Sequence, residues 1–146
     1  MENRIFTTLM KNDKMIENEF APYDLALAMK ELGFDESTLF TYYRKKIGYI
    51  KNSIKGGTPP NLPFPQYVPA PTYSQAFRWF REKYGYQHNI DICLSLEDFI
   101  TIKHRDIGMV YESKDTYKTY EEAEFACLKK LIEIINQTKD EVLKKG

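Results

Sequence analysis

The sequence predicts an α+β domain, antiparallel β-hairpins packed against about three helices, with its C-terminal part in the order α-β-β-β-α. Three observations carry this reading. Two capping boxes, Thr72-Tyr73-Ser74-Gln75 and Thr119-Tyr120-Glu121-Glu122, each open a helix. In such a box the threonine hydroxyl accepts from the backbone N–H three residues on, and the Gln or Glu side chain returns to the threonine N–H. Between the two, apolar residues alternate as they do in strands. Upstream, Pro22 and Gly33 bracket a third helical pattern.

A chain of 146 residues with 42% hydrophobic content fits a single domain that can bury a core without metals or disulfides. Aromatic residues make up 14%, and eleven tyrosines supply rings that bury a face while keeping a hydroxyl wet. Only two cysteines occur, Cys93 and Cys127, which is neither a disulfide framework nor a clustered metal pattern and points to a reducing compartment. The apolar run Ile5 to Met10 is too short and mixed for a signal peptide, and no stretch reaches the roughly 18 apolar residues of a membrane span. The expectation is a cytoplasmic protein without membrane attachment.

Residues 1–19 fit either a short helix or two runs of a hairpin around Asn12-Asp13. From Pro22 the pattern is clear: Leu25, Ala28, Met29 and Leu32 share a helical face, and Gly33 is the natural left-handed stop. Leu39 to Tyr43 and Tyr49 to Ile54 read as strands of a hairpin around Arg44-Lys45-Lys46-Ile47-Gly48. Residues 56–71 hold six of the seven prolines and no charge, which predicts an extended connector.

The helix from Tyr73 aligns Ala76, Phe77, Phe80 and Tyr84, with Trp79 beside them, and ends at Gly85, leaving Arg78, Arg81 and Lys83 on the polar side. Ile90, Ile92, Leu94 and Leu96 alternate as one strand face, and Ile100 and Ile102 as another. A three-residue loop at Glu97-Asp98-Phe99 pairs Leu96 with Ile100, Leu94 with Ile102 and Ile92 with His104, which keeps every apolar side chain on one side. Met109 to Glu112 is a third short strand. The last helix presents Ala123, Cys127, Leu131 and Ile135, widened by Leu128 and Ile132, a breadth that places it centrally across the sheet. Asn136-Gln137-Thr138 weakens its propensity before Leu143. Ala21-Pro22 to Gly33 and Ala70-Pro71 to Gly85 echo one another as two α-β-β units, but Pro starts and Gly stops are common punctuation and do not establish a repeat.

The blocks Phe20-Ala21-Pro22-Tyr23-Asp24-Leu25-Ala26-Leu27, Lys30-Glu31-Leu32-Gly33-Phe34-Asp35-Glu36, the run Gln75 to Gly85, Thr119 to Glu124 and Ala126 to Ile134 resemble a family of small uncharacterised proteins. That family is encoded by phages and prophages of Bacteroidetes and Flavobacteria. The likeness covers about Phe20 to Asn136 and implies a phage-related protein in an infected or lysogenic bacterium. It carries over no catalytic or binding residue. Relatives often have an acidic turn in the first hairpin, where this chain has Arg44-Lys45-Lys46, so no shared ligand is implied there.

Chemistry-bearing patterns are sparse. A Cys/His pair needs sulfur and imidazole within hydrogen-bond reach. The inferred register turns Cys93 away from the His104 face and sets Cys127 in the apolar stripe, as an inert small hydrophobe. His88 is expected in the helix-to-strand loop and His104 at a strand end, without zinc-ligand spacing. Glu97-Asp98 and Glu121-Glu122 suit a tight turn and a helix N-terminus, where carboxylates favour the helix dipole. Lys55-Gly56-Gly57-Thr58 is a turn, not a phosphate loop. No catalytic residue, metal ligand or cofactor is assigned.

The order from Thr72 to Asn136 matches a double-stranded-RNA-binding domain, but Glu121, Glu122 and Glu124 stand where phosphate must be met. A better-placed surface is the first hairpin. There Tyr42, Tyr43, Arg44, Lys45, Lys46, Tyr49, Lys51 and Lys55 interleave aromatic and basic side chains, and no Asp or Glu occurs from Ser37 to Arg81. Such a surface could stack bases and neutralise phosphates, against the plainer alternative of a solvated hairpin whose tyrosines alternate between core and surface. Zero net charge opposes strong non-specific binding. The sequence therefore favours a non-enzymatic interaction protein with a host or phage macromolecule as partner. Nucleic-acid binding through the hairpin is the alternative, and an enzyme with an unrecognised site comes third.

Overall fold

The computed structural model describes residues 6–8, 17–50 and 67–145. The architecture is α+β, and the chain divides into two compact units, Met1–Ser74 and Gln75–Gly146.

The first unit contains β1 (Phe6–Thr8), α1 (Tyr23–Glu31), β2 (Phe40–Tyr43), β3 (Lys46–Ile50) and β4 (Tyr67–Ala70). The strands form one antiparallel sheet in the order β1-β3-β2-β4. The stretch that fitted helix or hairpin thus contributes a strand at Phe6–Thr8, paired with β3. Helix α1 starts where Pro22 predicts, its carbonyl accepting from the Ala26 N–H at 2.9 Å. It stops in a Schellman arrangement: Phe34 N–H bonds the Met29 carbonyl, Gly33 N–H bonds the Lys30 carbonyl, and Gly33 takes φ 98°. Leu25, Ala26, Met29 and Leu32 are buried, whereas Ala28 is only half-buried.

Helix α1 packs against β4, and Lys30 Nζ donates to the Tyr67 carbonyl at 2.8 Å. A row of paired residues, Ile47, Tyr42 and Val68, joins Phe20, Ala26 and Ala70 in one apolar cluster. Phe20 meets Phe40, and Tyr23 meets Tyr42, edge to face.

Two expectations are corrected in this unit. The hairpin turn is two residues, Arg44-Lys45, because Tyr43 pairs directly with Lys46, so Lys46, Ile47 and Gly48 belong to β3 and not to the loop. The end of the proline-rich stretch is no connector: Tyr67–Ala70 pairs with β2 along its length. Pro69 fits because β4 is an edge strand, where a missing N–H costs little. The rest of the connector, with Gly56 and Gly57, lies outside the described residues.

The second unit comprises most of α2 (Tyr73–Tyr84), then β5 (Tyr86–Ile92), β6 (Asp98–His104), β7 (Gly108–Glu112) and α3 (Tyr120–Lys145), the predicted α-β-β-β-α order. Its sheet is antiparallel with β6 in the middle. In α2, Ala76, Phe77, Trp79 and Phe80 are buried while Arg78, Arg81 and Lys83 are exposed. The Gly85 N–H closes the helix on the Arg81 carbonyl. Gly85 has φ 77°, a left-handed conformation that favours glycine, and a Cβ there would crowd the exposed Arg105 side chain at 3.0 to 3.2 Å.

The second hairpin differs in register. The pairs are Tyr86 with His104, His88 with Ile102, Ile90 with Ile100 and Ile92 with Asp98, leaving residues 93–97 as the turn. Even-numbered residues still share a face, as expected, but the strands have slid so that His88 and Ile90, not Leu94 and Leu96, stand opposite the buried Ile102 and Ile100. His88 accordingly lies within β5 and not in a loop.

Helix α3 packs on β6 and β5, with Ala123, Cys127, Leu128, Leu131, Ile132 and Ile135 all buried. Its capping box is half as drawn. Thr119 Oγ1 accepts from the Glu122 N–H at 3.1 Å, but the Glu122 carboxylate returns to the Lys118 N–H at 3.3 Å, one residue earlier. The helix runs on to Lys145, and Thr138 satisfies its hydroxyl on the Ile134 carbonyl.

Candidate interaction surfaces

The sheet of the first unit decides what the basic hairpin can offer. Both faces of β2 and β4 are covered, so neighbouring residues are buried together instead of alternating with solvent. Tyr42 donates its hydroxyl to the Ala21 carbonyl at 2.6 Å, and burial, ahead of the nearby Tyr73 and Glu17, holds its phenol well above the usual tyrosine range. Tyr43 is stacked on Tyr67, with ring centroids 4.9 Å apart. Neither ring is a platform for a base. Tyr42 and Tyr43 thus leave the candidate surface, and their alternation between core and surface fails as well.

What remains exposed is Arg44, Lys45 and Lys46. The turn puts Arg44 at φ 51° and Lys45 at φ 67°, which with two residues between paired strands is the type I′ geometry that Asn-Gly adopts without strain. Side chains other than Gly or Asn pay about 1 to 2 kcal/mol at each such position. Aromatic faces hold the two cations: the Arg44 guanidinium lies 5.2 Å from the Tyr43 ring centre and Lys45 Nζ 5.8 Å from that of Tyr23. Of the other predicted members, Tyr49 is paired in β3 with Thr7, and Lys51 and Lys55 lie outside the described residues.

A second surface went unseen in the sequence. At the end of β5 Ile92 is 68% exposed, and in the β5–β6 turn that follows Leu94 is fully exposed and Leu96 84% exposed. The turn is ordered by its own bonds: Cys93 N–H to the Glu97 carbonyl and Leu96 N–H to the Cys93 carbonyl, both 2.9 Å, with Leu96 at φ 64°. Thr116 donates to the Glu97 carboxylate, and Asp98 bridges Tyr117 backbone to backbone, tying the turn to the approach to α3. Tyr120, half-exposed, begins that helix. The exposed carboxylate of Asp91 and the partly exposed Glu97 and Asp98 border the leucines. The legible signal was Gly85: a strand that starts at Tyr86, directly after the helix stop, and alternates from there places the turn at 93–97.

Cys93 lies in this turn, not on a strand face. Its Sγ shares a hydrogen bond with Ser95 Oγ at 2.9 Å, and that hydroxyl, followed by the Ser95 backbone, draws the thiol below its usual range. Cys127 is the opposite case, pushed up to about 12 by burial and then by Glu124.

The histidines serve the fold. His88 stacks on Phe77 of α2, centroids 3.7 Å apart, and burial, then Arg81, pulls its pKa down to about 4. His104 is at the end of β6 as expected. Its Nδ1 accepts from the Asp106 N–H and its Nε2 donates to the Tyr84 carbonyl at 3.1 Å, a pattern that selects the neutral Nε2–H form. Among the described residues no three His, Cys, Asp or Glu side chains come together as a metal site would need, and no helix is long and apolar enough to cross a membrane. The exposed Glu121 and Glu122 at the N-terminus of α3 keep the double-stranded-RNA mode unfavourable despite the matching order of elements. No protein-family model, curated protein or solved structure matches the chain.

Proposed function

We propose that this chain is a non-enzymatic interaction protein, encoded by a phage or prophage and acting in the cytoplasm of the bacterial host, that binds a host or phage protein. The carrying observation is the β5–β6 turn with the strand end that enters it, which together hold Ile92, Leu94 and Leu96 outward on a hydrogen-bonded frame. Large apolar side chains held out together in this way are the material of a protein contact, since their burial on binding returns about 25 cal/mol per Å² before ordering costs. The bordering carboxylates of Asp91, Glu97 and Asp98 repel phosphate and favour a partner with an apolar pocket and a basic rim. Such contact is a means of modulating a host process or host defence.

Capture from lysate of infected host cells tests the reading, using wild type beside a Leu94→Ser/Leu96→Ser variant, each with and without nuclease. Both leucines are exposed, so the variant should keep its stability within about 0.5 kcal/mol. The expected result is a partner retained by wild type after nuclease and lost by the variant. Equal capture by both proteins would refute the turn as the contact.

A further inference from the structure

We infer that the tip of the β2–β3 hairpin is a nucleic-acid contact that grips backbone phosphates and does not read bases. Arg44, Lys45 and Lys46 are consecutive and exposed, and no Asp or Glu occurs between Ser37 and Arg81, so β2, β3 and β4 bring no carboxylate to the tip. The turn is built from two residues in the left-handed region, and both carry cations where Asn-Gly would be unstrained. Arg44 and Lys45 are further placed over the rings of Tyr43 and Tyr23, which orders their long side chains before any ligand arrives.

The partner class follows from what accompanies the charges. None of the large apolar side chains found exposed lies within the turn or the pairs that flank it, so the tip lacks the apolar centre of a protein contact. The adjacent tyrosines are buried, which removes base stacking. Guanidinium and ammonium groups alone match phosphate oxygens, the Arg fork in two-pronged fashion and Lys as a point charge. Binding of this kind is electrostatic, independent of base sequence and steep in salt. The site belongs to the first unit, whereas the protein contact proposed for the β5–β6 turn belongs to the second.

Fluorescence anisotropy decides the matter, with the full chain titrated into labelled mixed-sequence DNA and RNA of about twenty nucleotides, single-stranded and duplex. Three phosphate contacts predict that affinity falls about twenty- to fortyfold between roughly 50 and 200 mM salt, with little difference between sequences. The Arg44→Asn/Lys45→Gly/Lys46→Gln variant installs the residues that a type I′ turn prefers while removing the charge, so its thermal midpoint should be no lower than that of wild type. Its binding should be lost. Lys46→Gln alone, outside the strained positions, should reduce the salt slope by about 1. No salt-sensitive binding by wild type, or wild-type affinity in the triple variant, would overturn the inference. Equal affinity for labelled polyglutamate would also overturn it and assign the tip to acidic peptides.

Discussion

The hydroxyl of Tyr42 donates to the carbonyl of Ala21 at 2.6 Å, fastening the second strand to the residue that leads into the first helix. Twenty-one positions separate the pair, so the bond closes the first unit's core and is not a local turn contact. Burial keeps the phenol protonated and therefore a donor. Tyr42→Phe removes that donor and changes little else, and should cost about 1 to 3 kcal/mol. Urea unfolding measures it. An unchanged midpoint would mean that the bond contributes nothing in solution.

Phe80 is completely buried in α2 and touches both Trp79, edge to face, and Tyr84. Phe80→Ala leaves a ring-sized gap and should lower stability by about 3 to 5 kcal/mol, whereas Arg78→Ala on the exposed side should change it by less than about 0.5 kcal/mol. Thermal unfolding of the two variants side by side checks the assignment of faces. Equal midpoints would refute it.

The elements that could be read from the sequence are those whose signals are local. Pro22, Gly33, Thr72, Gly85 and Thr119 punctuate helices by backbone chemistry that needs no tertiary context, and each stands at the helix boundary it predicts. The broad stripe of α3 was legible because a helix repeats its apolar face every turn. Strand register was not. Alternation fixes which residues share a face but not how far two strands slide, and maximising paired aliphatics set Leu94 and Leu96 opposite Ile102 and Ile100, where His88 and Ile90 are found. Tyr42 and Tyr43 misled for a related reason: alternation assumes a wet face, and β2 has none. The candidate surfaces were therefore half visible. Charge at Arg44 to Lys46 is a property of composition, while the exposed leucines depend on register.

His88 ties stability to pH. Its pKa falls from about 6.5 in the unfolded chain to about 4 when buried against Phe77, so between these values the unfolded state binds the proton and the folded state does not. Stability attributable to this residue is therefore complete above about pH 6.5 and declines as pH drops toward about 4, by on the order of 2 kcal/mol once partial exposure is allowed for. His88→Gln should flatten that segment of a stability-against-pH curve measured by denaturant unfolding. A slope identical to wild type would show that other groups carry the acid sensitivity.

The two thiols should separate cleanly by reactivity. Cys93 sits in an accessible turn with its thiolate favoured by Ser95, while Cys127 is fully buried on the apolar face of α3 with its thiol pushed up to about 12. Because the thiolate is the nucleophile, Ellman's reagent at neutral pH should titrate one thiol rapidly in the native protein and the second only on unfolding. Cys93→Ser should abolish the fast phase without changing stability beyond about 0.5 kcal/mol, and Ser95→Ala should slow it by removing the hydroxyl that favours the thiolate. Cys127→Ser should leave the fast phase intact but lower the unfolding midpoint, since a hydroxyl there replaces an apolar contact in the core. Rapid native labelling of Cys127 would contradict the packing of α3 on β6.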